Sequence, residues 1–209
     1  MKRIAVMLSG RGSNFAALLR AIDEEGLPGR VVLVISNRPE AGGLALAAQR
    51  GISAAVIRKK DFDSEEAFDL ANLQALQEAQ VDLVVLAGYL SVVGQHTVDA
   101  YPNAIVNVHP ALLPSFGGAG YYGHHVHEAV LAAGCKVSGA TVHFVTAEVD
   151  GGPIIAQGTV PVLDEDDAQS LAARVLVQEH RLLPAAVGAV LRGELSIQGN
   201  RVFGYPICE

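Results

Sequence analysis

Lys2-Arg-Ile-Ala-Val-Met-Leu-Ser9-Gly-Arg-Gly-Ser-Asn14-Phe-Ala-Ala-Leu-Leu-Arg20 passes from an apolar run through a glycine turn into a helix-forming segment. Arg3 to Leu8 reads as a buried strand, Ser9 to Asn14 as a turn, and Phe15 to Glu25 as a helix. The same alternation continues outward. Val31 to Ser36, Ala54 to Ile57, Leu83 to Ala87 and Ile105 to Val108 read as strands. Between them, about Ala41 to Arg50, Ser64 to Ala79 and Val92 to Tyr101 read as helices, with Asp63 as N-cap and Glu66 three residues on in a capping box before the second of these. Short apolar strands alternating with helices predict an α/β fold with a doubly wound, mostly parallel sheet. Right-handed crossovers then put helices on both faces.

The rhythm changes after Pro110. A loop rich in Gly, Tyr and His leads to a helix near Val126 to Ala133. Val137 to Val145 and Ile154 to Val160 read as long strands joined by a polar turn, which predicts antiparallel additions in the C-terminal half. Ala168 to Leu191 reads as a long helix in which Pro184 predicts a kink or break. Leu195 to Tyr205 reads as a hairpin around Gly199-Asn200.

Composition narrows the function classes. The 209 residues predict one domain, at ~150 residues per domain. No apolar run approaches the ~20 residues a membrane span needs. Met1-Lys2-Arg3 leads into only five apolar residues, which is no signal sequence, so a cytoplasmic protein is expected. Cys135 and Cys208 make neither a disulfide framework nor a four-ligand zinc site. The net charge of −7 argues against a nucleic-acid coat, which needs a basic face to displace counterions. It leaves room for a small anionic ligand at a local positive site.

Ser9-Gly-Arg-Gly-Ser-Asn14 has the makings of such a site. Its glycines allow close backbone approach, the following helix offers unpaired N–H groups to an anion, and Ser13 and Asn14 add side-chain donors. The spacing matches neither a nucleotide-triphosphate loop nor a dinucleotide fingerprint, and a capped tight turn accounts for the same residues. Farther on, Ile105-Val-Asn-Val-His-Pro110 alternates at period two, so Asn107 and His109 share a face at the carboxyl end of a strand, where ligands bind in open α/β sheets. Asp150, before Gly151-Gly152-Pro153, fits a turn; paired with His109 it would raise the imidazole pKa and suit it to general acid work. His124, His125 and His127 cluster without the Cys or carboxylate spacing that completes a ligand set, so no metal is expected.

Taken together, Ser9-Gly-Arg-Gly-Ser-Asn14, Asn107-Val-His-Pro-Ala-Leu-Leu-Pro114 and His143-Phe-Val-Thr-Ala-Glu-Val-Asp-Gly-Gly-Pro153 resemble the motifs of the 10-formyltetrahydrofolate-dependent formyltransferases, and among them the phosphoribosylglycinamide formyltransferases of purine synthesis. The likeness runs along essentially the whole chain. It implies a formyltransferase-like fold with a Rossmann-like N-terminal half, a nucleotide-binding half at 1–100 and a folate-binding, catalytic half at 101–209. It implies transfer of a formyl group from 10-formyltetrahydrofolate, as co-substrate, to the amine of glycinamide ribonucleotide, with no metal and no covalent enzyme intermediate. Gly12, Ser13 and Asn14 would then hold the substrate phosphate, and Glu179 would contact the nucleotide. Asn107 would donate to the oxyanion, His109 would act as general acid, and Asp150 would raise the His109 pKa and orient a water. Leu90, Ser91, Val92 and Val93, with Thr146, Ala147, Glu148, Val149, Asp150 and Asn107, would surround the folate.

Ser91 falls where some members carry Arg, and Glu65 where some carry a basic residue near the folate tail; Arg58-Lys59-Lys60 is a candidate substitute for that charge. The glycines of Ser115 to His125 predict a mobile lid. Small-molecule substrates are expected as partners, with no nucleic acid and no membrane, and a monomer or a homodimer fits equally. Formyltetrahydrofolate hydrolase would use the same Asn, His and Asp on water, a methionyl-tRNA formyltransferase would call for an added domain and a basic surface, and a non-catalytic nucleotide- or folate-binding module remains open because fold does not fix function.

Overall fold

The computed structural model describes residues 1–205, so Cys208 lies outside the described residues. The chain divides into two compact units, Met1–Val106 and the part from Asn107 onward. It is a mixed α/β protein, with a mostly parallel sheet to which the C-terminal end adds antiparallel strands.

In the first unit, β1 (Lys2–Leu8), β2 (Gly29–Ser36), β3 (Ser53–Val56) and β4 (Leu83–Leu86) alternate with α1 (Ser13–Glu24), α2 (Gly42–Gln49), α3 (Glu65–Glu78) and α4 (Gln95–Ala100). The strand order is β3-β2-β1-β4, all pairs parallel. Ile4, Ala5, Val6, Val84 and Val85 are completely buried, as strands covered on both faces must be. Helix α1 buries Phe15, Leu18 and Leu19, the i, i+3, i+4 stripe of an amphipathic helix. Burying Phe15 alone contributes roughly 2–3 kcal/mol.

The order reverses between β1 and β4, on either side of the first strand. Ligands of such sheets bind at the carboxyl ends of the strands at that reversal, and there lie the Ser9–Asn14 turn after β1 and the irregular segment after β4. Ser9 joins the two: its N–H donates to the Gly88 carbonyl at 3.0 Å and its Oγ accepts from the Leu90 N–H at 2.8 Å.

β5 (Ile105–His109) crosses the boundary between the units. The second unit adds α5 (His124–Ala132), β6 (Val137–Phe144), β7 (Ile154–Pro161), α6 (Ala168–Arg192), β8 (Ser196–Gln198) and β9 (Arg201–Phe203), in strand order β5-β6-β7-β9-β8. β6 and β7 pair antiparallel across the Thr146–Pro153 turn, and β8 and β9 form the expected hairpin with Gly199 at φ 58. Gly139 faces β7 so closely that a Cβ would stand 2.0 Å from the Gly158 carbonyl oxygen.

Several boundaries differ from the sequence reading. Ser64, not Asp63, caps α3, accepting from the Ala67 N–H at 3.0 Å; either side chain can supply the acceptor, and the chain path selects the second. α4 starts at Gln95 rather than near Val92. α6 runs unbroken through Pro184. The missing N–H costs ~3 kcal/mol in a free helix, but Leu182, Leu183, Pro184, Ala186 and Val187 are all buried, and packing on that face offsets it. No helix among the described residues is long and apolar enough to cross a membrane.

Candidate active site

Period-two alternation in β5 carries Asn107 and His109 to one face, and both face residues from β6 and the turn that follows it. The His109 ring is almost sealed from solvent, its side chain 5% exposed. Its Nε2 donates to the Phe116 carbonyl at 2.7 Å, and its Nδ1 stands 3.5 Å from Asp150 Oδ2. A carbonyl can only accept, so Nε2 carries the proton of the neutral ring and Nδ1 turns its lone pair toward the carboxylate.

His143, at the end of β6 and 1% exposed, completes the group. Its Nδ1 donates to the Phe144 carbonyl at 2.9 Å, which leaves Nε2 to accept from Asn107 Nδ2 at 3.0 Å. The Asn107 amide is thereby fixed in one orientation, with its second N–H available for another acceptor. Asp150 Oδ1 lies 3.6 Å from the same His143 nitrogen. From sequence, His143 is only a strand residue. Its single local signal is its place at the head of the His143–Pro153 motif.

Asp150 adopts the left-handed region at φ 57, uncommon outside glycine but tolerated by Asp. Gly151 N–H closes the turn on Glu148, and a Cβ on Gly152 would stand 1.9 Å from the Phe144 carbonyl oxygen. Only glycine lets the turn fold back tightly enough to aim Asp150 at both rings. Burial alone would raise the Asp150 carboxyl, but the His143 and His109 rings and the Gly118 N–H, 2.9 Å away, more than offset it, and its pKa is lowered.

The His109 pKa corrects the sequence reading. Asp150 does pull it upward, as does the bond to Phe116, but burial is the larger influence and, with His143 adding to it, the net shift is downward. The ring is therefore neutral in this state near neutral pH. The loop Ser115–Gly123 touches the group through the Phe116 carbonyl and the Gly118 N–H. Phe116 enters it at φ 54, Gly118 at φ 86, and the Phe116 and Tyr121 rings meet edge-on at 6.1 Å. A Cβ on Gly117 would meet Leu113 at 2.5 Å and Asp150 Cβ at 3.3 Å, so the glycine permits the loop to close against the site.

In the first unit, Gly12 is the N-cap of α1 in the left-handed conformation (φ 83), with no side chain capping the helix and no acidic residue in its first turn. The N-terminal N–H groups thus form a positive end suited to an anion. A Cβ on Gly12 would stand 2.8 Å from Gly43 Cα; Gly42-Gly43, read from sequence only as the start of a helix, lets α2 abut this turn. Ser13 opens α1, and Asn14 is buried beside it.

The remaining expected residues are distributed as follows. Leu90 and Val92 are exposed, at 41% and 66%, while Ser91 and Val93 are partly buried, all in a segment without regular structure. Asn37 Nδ2 donates to Ser91 Oγ at 2.8 Å. Thr146 is partly buried and Ala147, Glu148 and Val149 are exposed in the turn leading to Asp150. Glu179 is buried on α6 rather than an exposed helix carboxylate. Arg58 and Lys59 are engaged locally, by Asp61 and Glu65 respectively, so within the Arg58–Lys60 cluster only Lys60 has no such bridge among the described residues.

The profile of the formyl transferase family matches residues 2–187. The chain belongs to the formyl transferase family. Among curated members, the chloroplastic phosphoribosylglycinamide formyltransferase of Vigna unguiculata is 42% identical over 90% of this chain, which spans 61% of that relative's length. The phosphoribosylglycinamide formyltransferase of Haemophilus influenzae is 36% identical, covering 97% of this chain and 93% of the relative. The crystal structure of glycinamide ribonucleotide transformylase 1 from Symbiobacterium toebii superimposes with a TM-score of 0.91 at 45% identity, covering 97% of this chain and 93% of that one. The site described above brings together an imidazole, an amide donor and a carboxylate.

Proposed function

We propose that this chain transfers the formyl group of 10-formyltetrahydrofolate to the amine of glycinamide ribonucleotide. The observation that carries the reading is the convergence of part-buried Asn107 and Asp150 on the buried His109, with the buried His143 behind them. The amine attacks the formyl carbon, and the carbonyl oxygen becomes an oxyanion. The free N–H of the Asn107 amide donates to it; an oxyanion donor of this type contributes about 3 kcal/mol to the transition state. Once Phe116 withdraws and the ring is less buried, His109 takes up a proton from solvent beside Asp150, and the imidazolium acts as general acid through Nε2 at the same centre. The C–N bond to the folate then breaks, and the proton shed by the attacking amine is passed to the departing folate nitrogen through His109 and a water oriented by Asp150. Asp150 raises the His109 pKa against the effect of burial and pairs with the imidazolium as it forms.

For the ligands, the uncapped start of α1 supports Gly12, Ser13 and Asn14 as the phosphate site, and Glu179 is assigned to the nucleotide. Leu90 to Val93 and Thr146 to Asp150 are assigned to the folate, read through backbone groups. The chain as a whole acts as one formyl-transfer domain, with its nucleotide half at 1–100 and its folate and catalytic half at 101–209, and its partners are these two small molecules.

The test is formyl transfer from 10-formyltetrahydrofolate with and without glycinamide ribonucleotide. Transfer that depends on the acceptor is expected, and His109→Ala should lose 10²–10⁴-fold in rate while still binding the nucleotide. Folate turnover to formate in the absence of acceptor would identify a hydrolase instead, and no turnover under either condition would identify a binding module.

A further inference from the structure

The segment assigned to the folate, 90–93, belongs to no helix or strand, so no ladder of backbone bonds fixes its shape. Side chains from elsewhere do so. Ser9 holds its upstream end through Leu90 N–H, and Asn37 holds Ser91. The downstream end is held by Asp69, from the middle of α3. Asp69 is 4% exposed. Its Oδ2 accepts from the His96 N–H at 2.8 Å and its Oδ1 from Thr97 Oγ1 at 2.5 Å. Thr97 is completely buried. No Lys, Arg or His among the described residues forms a salt bridge with this carboxylate.

A buried carboxylate lacking a cation is costly, and it persists only where its hydrogen bonds are well satisfied. Here both donors come from the first turn of α4. Gly94 is shaped to the arrangement: a Cβ there would stand 2.2 Å from Asp69 Cγ and 2.4 Å from Oδ2. The start of α4 is thus set by a residue of α3, and Val93 is two residues upstream of that start. A segment that reads a ligand through main-chain groups needs its backbone held within about 0.5 Å of the productive geometry.

We propose that Asp69 is a positioning residue for folate recognition: by anchoring the first turn of α4 across Gly94, it sets the backbone of residues 90–93. The inference rests on the reading of that segment as the folate site. It concerns a residue that touches neither substrate.

The experiment compares the full-length wild type with Asp69→Ala, Asp69→Asn and Thr97→Val. Steady-state kinetics against both substrates, calorimetric titration with 10-formyltetrahydrofolate and amide hydrogen exchange of the peptide covering residues 91–97 are read for each. Asp69→Ala is expected to raise the folate KM about tenfold, with the nucleotide KM within twofold and kcat within threefold, and to speed exchange across 91–97 but not along α3. Thr97→Val should produce the same pattern at smaller amplitude, and it serves where Asp69→Ala does not fold. Asp69→Asn, whose amide can accept from His96 and donate to Thr97, should restore the folate KM to within threefold of wild type. A merely stabilising role would lower the unfolding temperature and leave both KM values unchanged, which overturns the proposal; so does an equal rise in both KM values. A wild type that binds no folate in the titration removes the reading of the segment itself, whereas wild-type binding that the variants share removes Asp69 alone.

Discussion

His109 stands between opposing influences: burial lowers its pKa, and Asp150 and the Phe116 carbonyl raise it. Replacing Asp150 with Asn keeps the size and removes the upward pull, so the His109 pKa falls further. A general acid works in its protonated form, and its contribution is lost as pH rises through its pKa. The alkaline limb of kcat/KM should therefore move to lower pH in Asp150→Asn, and the rate at neutral pH should fall. A pH–rate profile with an unmoved limb would show that Asp150 does not tune His109. His143 acts one step back, by accepting from Asn107. His143→Phe should lower kcat about 10–100-fold with both KM values within threefold, and should cost little more in an Asn107→Ala background, because both changes disable the same donor. Full additivity of the two would separate His143 from Asn107. That Asn107 and His109 share a face is legible in the sequence, since period-two alternation is local. The role of His143 is not, because it depends on β6 lying next to β5, and neither is the net direction of the His109 shift, because it depends on how deeply the folded chain buries the ring, which no local pattern encodes.

At the scale of elements, the strands and helices of the first half are legible because buried apolar runs and amphipathic stripes repeat at their own periods. The starts of helices are less so. Asp63 and Ser64 are equivalent on paper, and α4 begins where Asp69, twenty-six positions earlier, offers its carboxylate. Pro184 illustrates the converse: a local rule overridden by the packing of the longest helix. Helix α5 carries a pH dependence of stability. His127 is 4% exposed, its Nδ1 has no hydrogen-bond partner among the described residues, and burial first, then His124 and His109, push its pKa down to about 4. Its unfolded value is 6.5, so the unfolded chain binds the proton more readily. The neutral ring's stability is fully present above pH 6.5 and is lost as pH falls toward 4, up to ~3 kcal/mol in all. Urea unfolding at about pH 7 and about pH 4.5 should show this loss in the wild type and a distinctly smaller one in His127→Leu; equal losses would place the titration elsewhere.

For the whole molecule, the proposed function would have a chain of net charge −7 accept two anionic ligands, and the resources visible for this are local: a helix start with no acidic residue in its first turn, and glycines that leave its N–H groups approachable. The mostly parallel and the antiparallel parts of the chain were both foreseeable from the change of rhythm after Pro110. The contents of the active site were foreseeable mainly through motif likeness. The closed Ser115–Gly123 loop was foreseeable only as a run of glycines.

That closed loop bears on what the protein does between turnovers. With Phe116 on Nε2 of His109 and Gly118 on Asp150, the proposed acid and its carboxylate are occupied by the protein's own backbone. Val at position 118, where φ is 86, strains that backbone and should loosen the loop. Gly118→Val is then expected to release formate from 10-formyltetrahydrofolate without acceptor at least about tenfold faster than wild type, the direction expected when a general acid worth 10²–10⁴-fold is uncovered; an unchanged rate would show that the loop restrains nothing. The difference between a transferase and a hydrolase on this scaffold would then lie less in which residues are present than in whether they are idle: an enzyme that keeps its own acid engaged while waiting does not squander an activated carbon on water.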